Sequence, residues 1–166
     1  MPVPPAHGTR LMILVRRLLV MAAFAVWQGG FIFYTAVVVP IGAEFLGSAR
    51  RQGFITRQVT DSMNACGAVA LGLMAWELAR SRDAWRLRVR ARVALWVLMT
   101  ACAVGLFVLH PRMDALLDVS NETVSDRAAF RPLHRAYLWV SSGQWACAAV
   151  YLALTLAAWR GEDVRR

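Results

Sequence analysis

The sequence predicts an all-α membrane protein: an antiparallel bundle of four transmembrane helices with both termini on the cytoplasmic side. Three observations carry that expectation. The chain of 166 residues is 58% hydrophobic, with a mean hydropathy of +0.46. That is too apolar for an ordinary soluble domain and long enough for four spans with short connections. Leu18 to Ile41 is an uncharged run of 24 residues, and at 1.5 Å per residue such a run crosses a hydrocarbon core of roughly 30 Å. Finally, the arginines are distributed unevenly. An N-inside arrangement puts twelve on the cytoplasmic side and seven outside, and the outer side also takes six of the ten acids, as the positive-inside rule requires.

Residues 1–10 hold three prolines, one glycine and His7 without periodicity, and read as a flexible arm ahead of a single membrane domain over 11–160. The first span, about 18–41, follows Arg16 and Arg17. Those arginines and the LLVMAAFA after them mimic a signal peptide, with Ala23-Phe24-Ala25 mimicking a cleavage site. The apolar run continues for 16 residues beyond that point, so the segment reads as a retained span. Gly47 to Asp61 has only scattered apolar residues and predicts a short interfacial helix or loop.

The second span, about 62–79, carries small residues at four-residue spacing, Ala68 and Gly72 among them, which allow a neighbouring helix to approach closely. Gly29 and Gly30 on the first span are their expected packing partners. The third span, about 93–110, repeats the pattern with Ala101 and Gly105 and is expected to stop at Pro111. Pro111 to Pro132 is the longest connection, with Met113, Leu116 and Leu117 on one face of a surface helix. A fourth span, about 133–159, precedes a charged tail at 161–166.

The net charge of +9 comes from 19 arginines with no lysine. Arginine-only usage with abundant alanine suggests a GC-rich bacterial genome and an inner-membrane location. Because the charges flank apolar spans, anionic phospholipid headgroups rather than nucleic acid are the expected partners. Arg82, Arg86, Arg88, Arg90 and Arg92, between the second and third spans, are the expected headgroup contacts. Cys66, Cys102 and Cys147 lie in three apolar segments without CxxC spacing, so neither a disulfide framework nor a zinc site follows.

Two stretches carry a family resemblance: WQGGFIFYTAVVVPIGAEFLG with the following RRQGFITRQV, and the pair HPRMDALL and FRPLHRAYLWVS. Together they resemble the four-helix membrane domain of unknown function typified by transmembrane protein 205, itself similar to the CopD-like copper-resistance membrane proteins. The resemblance places Gly29, Gly30 and Pro40 in the first helix and His134 at the start of the last. It implies a four-helix fold, and for some relatives in the wider group haem binding or copper handling.

Four features are candidates for chemistry. His110 and His134 fall at the same membrane face and, with Met113 or an acid as third ligand, are a candidate site for copper, zinc or the iron of haem b. Gln28 and Gln144 lie mid-span, where an unpaired amide is costly. A mutual hydrogen bond is expected, with Ser141, Ser142, Thr35 and Asn64 nearby. The arginine-rich loop and the outer acids Asp114, Asp118, Glu122 and Asp126 read first as a topology signal and a solvated loop. Glu77 is expected to pair with Arg80. The chain shows no phosphate loop, HExxH or GxSxG motif. The leading expectation is a non-enzymatic scaffold or accessory subunit of a membrane complex, either a homo-oligomer or a larger assembly, that requires no cofactor. Metal or haem handling, and small-solute transport by an oligomer, are the alternatives.

Overall fold

A computed structural model describes residues 7–118, 121 and 123–165. The start of the expected arm, Glu122 and Arg166 lie outside the described residues. α1 (His7–Phe33) passes through a π-helical turn, Tyr34–Val38, into α2 (Val39–Phe45). α3 (Ala49–Arg80), α4 (Arg86–Asp114) and α5 (Arg127–Val164) follow, with a two-stranded hairpin of β1 (Leu117–Asp118) and β2 (Thr123–Val124) between the last two. The hairpin is antiparallel and pairs Leu117 with Val124 and Asp118 with Thr123.

Local chemistry sets the boundaries. Gly47 takes a φ of +62°, a left-handed conformation open to glycine at little cost, and turns the chain after α2. Ser48 then caps α3 by accepting from Arg51 N–H at 3.4 Å. Asp126 caps α5 by accepting from the N–H groups of Ala128 and Ala129 at 2.9 and 3.0 Å.

Several expected boundaries move. His7–Arg10 is helical, so the expected arm is helical where it is described. The expected interfacial segment 47–61 is mostly the first turns of α3. Pro111 lies inside α4 rather than ending it, and Pro132 lies inside α5. Each proline removes one intrahelical bond, to the carbonyl of Phe107 or of Ala128, and each lies within two turns of a helix end, so little of its helix lies beyond the interruption. The expected surface helix around Leu116 and Leu117 is instead the end of α4 and the hairpin.

Among the described residues three stretches are long and apolar enough to cross a membrane, Arg10–Phe45, Arg86–Asp114 and Arg127–Val164, which fits a membrane-embedded protein. The expected second span lies in α3, which is as long but more polar. Some of its polar residues point inward, Gln52, Thr56 and Glu77 being buried while Ile55 and Val69 are exposed, whereas Gln58, Asp61 and Ser62 face outward. Large apolar side chains are likewise exposed along α1 and α4, including Leu14, Leu18, Val26, Val97 and Phe107. An apolar exterior around a partly polar interior suits lipid as the surrounding solvent.

α1 packs on α3, α3 on α4 and α4 on α5, with α2 folded against α3. The core comprises Phe24, Trp27, Ala70, Leu71, Met74, Met99, Ala148 and Tyr151. One close approach was not anticipated: a Cβ at Gly67 would lie 2.9 Å from Trp27 Nε1, so the indole packs against bare α3 backbone. Of the small residues expected to pack, Gly30 meets Met63, whereas a Cβ at Gly29, Gly72 or Gly105 would meet nothing within 4 Å, and Ala68 and Ala101 are exposed. Gly29, Gly72, Ala68 and Ala101 are therefore not in the internal seam; four-residue spacing defines a stripe but not the direction it faces.

Candidate functional site: a cavity at the hairpin end

A cavity of about 780 Å³ opens among the C-terminal half of α1, the N-terminal halves of α3 and α5, the end of α4 and the hairpin. Its size is that of a pocket for a small organic ligand. Trp27, Phe31, Tyr34, Phe54, Phe130 and Trp145 supply aromatic wall. The π-helical turn contributes Tyr34 and Thr35, and the Thr35 hydroxyl donates back to Phe31 O at 2.8 Å. Such wide turns recur at functional sites.

The residues singled out for chemistry converge here. Gln28, Gln144, Ser141, Ser142, His110, His134 and Met113 all line the cavity, although they come from three helices. Their contacts differ from expectation. Gln144 does not pair with Gln28: its Nε2 donates to Met99 O at 2.9 Å, which satisfies a carbonyl of α4. Gln28 Nε2 is buried without a hydrogen-bond partner. Asn64 accepts the Tyr137 hydroxyl on Oδ1 at 3.0 Å, but its Nδ2 is unpartnered. Trp145 Nε1 is a third buried donor without a partner. Ser141 donates back to Leu138 O at 3.0 Å.

At the mouth, His110 Nδ1 lies 3.0 Å from Asp61 Oδ1 and 3.7 Å from Asp114 Oδ2. Arg57 Nε reaches the same Asp114 oxygen at 3.7 Å. His134 instead stacks on Phe130 with ring centroids 5.6 Å apart. His110 is thus engaged with carboxylates and His134 with an aromatic ring. Among the described residues no group of three or more His, Cys, Asp or Glu side chains is arranged to hold a metal ion. Cys66, Cys102 and Cys147 are free and half-buried.

The opposite end is closed by charge. Glu77 is fully buried and forms an ion pair with Arg16, lies 3.9 Å from Arg92, and accepts the Trp159 indole N–H at 2.6 Å. Contrary to expectation it does not pair with Arg80, which lies outward at the helix end, while the Arg80 backbone carbonyl accepts from Arg16. Glu162 accepts from Ser81 Oγ at 3.0 Å and from Arg82 N–H at 2.6 Å. Arg17 spans from α1 to α5, where it meets Glu162 at 3.3 Å and Asp163 at 2.8 Å and lies over the Trp159 ring.

Arg92 departs furthest from its expected headgroup role, being fully buried over the Tyr151 ring and donating to Ser81. Arg88 is held by Asp83 through two contacts of 2.6 Å, and this hydrogen-bonded guanidinium holds the Asp83 carboxyl below its ordinary pKa. Arg82, Arg86 and Arg90 remain exposed. The mid-span glutamines were visible in the sequence as polar breaks in apolar runs. Trp145, Tyr137 and Asp61 were not singled out, because aromatic and loop-flanking residues are common at such positions.

Comparison with known proteins gives no match: no family model fits the chain, and neither a curated protein nor a solved structure is detectably similar to it.

Proposed function

We propose that this is a multi-pass membrane protein, an antiparallel four-span bundle with both termini cytoplasmic, that holds a small ligand in its hairpin-end cavity. One observation carries the reading: a cavity of about 780 Å³, its aromatic walls interleaved with polar side chains, lies at one end of the bundle, while buried ion pairs fill the other. A well-packed bundle with only a scaffolding role has no need of that much empty space, since interiors otherwise pack densely. The arginine bias puts the cavity on the outer side of the membrane and the ion pairs on the cytoplasmic side. A bacterial inner membrane is the proposed setting. The resemblance to the transmembrane protein 205 type of domain belongs to this proposal and rests on the sequence stretches that carry it.

A second reading, an accessory subunit of a larger membrane complex, is favoured by the exposed Ala68 and Gly72 on the outside of α3. There a partner helix would find a smooth surface.

Native mass spectrometry of the protein released from its own membranes tests the first reading. A retained small-molecule adduct in the wild type, lost in a cavity-filling Ser142→Trp variant, is expected. An adduct that survives in the filled variant, or none in either, would overturn it.

A further inference from the structure

The three unpartnered donors in the cavity wall are its most informative feature. Gln28 Nε2, Asn64 Nδ2 and Trp145 Nε1 come from α1, α3 and α5, and all are buried without a hydrogen-bond acceptor. Gln28 is only 6% exposed. Leaving a buried N–H unsatisfied costs on the order of 1–3 kcal/mol, and three such groups around one space is a concentration that native interiors avoid. All three are donors. The spare capacity therefore selects for lone pairs and offers nothing to a ligand that can only donate. A minor void of about 10 Å³ beside Trp27, Asn64 and Gln144 has room for one water at most, which does not account for the set.

The cavity also has a side entrance. The helices pack in sequence from α1 to α5, and Arg17 supplies the hydrogen bonds and ion pairs that join the first to the last at the charged end. At the hairpin end, Thr35 in the π-helical turn that continues α1 and Leu138 and Ser142 on α5 are exposed yet line the cavity. In a bilayer, the gap between α1 and α5 would open sideways toward lipid, where apolar compounds are concentrated.

Resting on the ligand-binding reading above, we propose that the cavity takes a lipid-phase compound bearing a carbonyl acceptor, with its apolar body against Trp27 and Phe31 and its carbonyl oxygens among Gln28, Asn64 and Trp145. Two sources offer that chemistry: a free ring carbonyl compound of the quinone type, and the ester carbonyl of a phospholipid. No electron transfer is implied.

The test uses the full chain in lipid nanodiscs with two radiolabelled probes of equal tail, decylbenzoquinone and decylbenzene, which lacks any carbonyl. Saturable quinone binding, tighter than decylbenzene by about tenfold or more, is expected for net hydrogen bonds of about 1 kcal/mol each. The double variant Gln28→Leu, Trp145→Phe should lose that preference and keep decylbenzene binding, which also reports that it is folded. Should the double variant not fold, Trp145→Phe alone carries the test and should narrow the preference. Weaker quinone binding in ester-lipid discs than in ether-lipid discs would assign the site to the lipid ester, and equal binding in both would assign it to the free compound. Equal affinity for the two probes, or a preference unchanged in the variants, would overturn the carbonyl assignment while leaving the cavity a binding site. Failure of both probes to bind would overturn the ligand-binding reading itself.

Discussion

Trp159 on α5 donates its indole N–H to Glu77 on α3 across 2.6 Å, and both side chains are buried. The carboxylate also faces two buried arginines, Arg16 and Arg92. Removing it would strand two cations in a low-dielectric interior, which typically costs about 3–5 kcal/mol. Glu77→Ala is therefore expected to be among the most destabilising single changes in the chain. Trp159→Phe, which keeps the ring beneath Arg17 but loses one bond to a charged group, should cost about 1.5–3 kcal/mol. Thermal unfolding of the detergent-solubilised variants ranks the two. A Glu77→Ala protein as stable as Trp159→Phe would show that the charges do not hold this end together.

Gln28 and Gln144 should respond oppositely to leucine. Gln144→Leu leaves the Met99 carbonyl without its donor and is expected to destabilise by about 1–3 kcal/mol. Gln28→Leu removes a donor that has no partner and is expected to leave the empty protein as stable as before or more so. Equal losses in the two unfolding curves would contradict this asymmetry.

Gly67→Ala places a methyl against the Trp27 indole. It should cost about 1–3 kcal/mol by overpacking. At Gly72 a methyl meets nothing within 4 Å, and alanine there should gain up to about 1 kcal/mol of helix propensity. The pair of unfolding temperatures, one lowered and one raised, is the check.

Asp83 supplies a pH dependence outside the spans. Its carboxyl is held below the ordinary value of 3.8 chiefly by its hydrogen bonds to Arg88. A depressed folded-state pKa contributes stability that is fully present above the unfolded value and is lost as pH falls through the folded one. Asp83→Asn should thus be less stable than wild type at neutral pH, with the difference shrinking as the solution is acidified below about pH 4. A gap that stays constant on acidification would show that the charge of Asp83 does not supply this stability.

The long helices were legible because lipid demands apolar runs, and Leu18–Ile41 announces itself. Their ends were less so. Pro111 read as a stop and Pro132 as the end of a connection, yet both lie inside helices, and Asp126, a clear cap in the structure, lay in a stretch read as a solvated loop. For the site, the sequence pointed to Gln28, Gln144 and the histidines, since polar groups in apolar runs need a reason to be there. What it withheld was rotational phase. A helix can be turned so that Gln144 meets either Gln28 or the Met99 carbonyl, and hydropathy is the same in both cases. The same limit hid the Glu77 cluster: Arg16, Arg92 and Glu162 read as flanking charges until packing turned them inward.

The seam between α1 and α5 is fastened by Arg17 at one end, while at the other it borders the cavity. Among the described residues, spreading the α1–α5 seam at the rim breaks no ion pair, whereas spreading it at the base would break the two that Arg17 makes with Glu162 and Asp163. The molecule is accordingly stiff where it is charged and compliant where it is hollow. Lateral pressure in the bilayer then becomes a control on occupancy: lipids that squeeze the rim shrink the space, and those that relax it enlarge it. Probe affinity compared between discs of short-chain and long-chain lipid would read out that compliance directly.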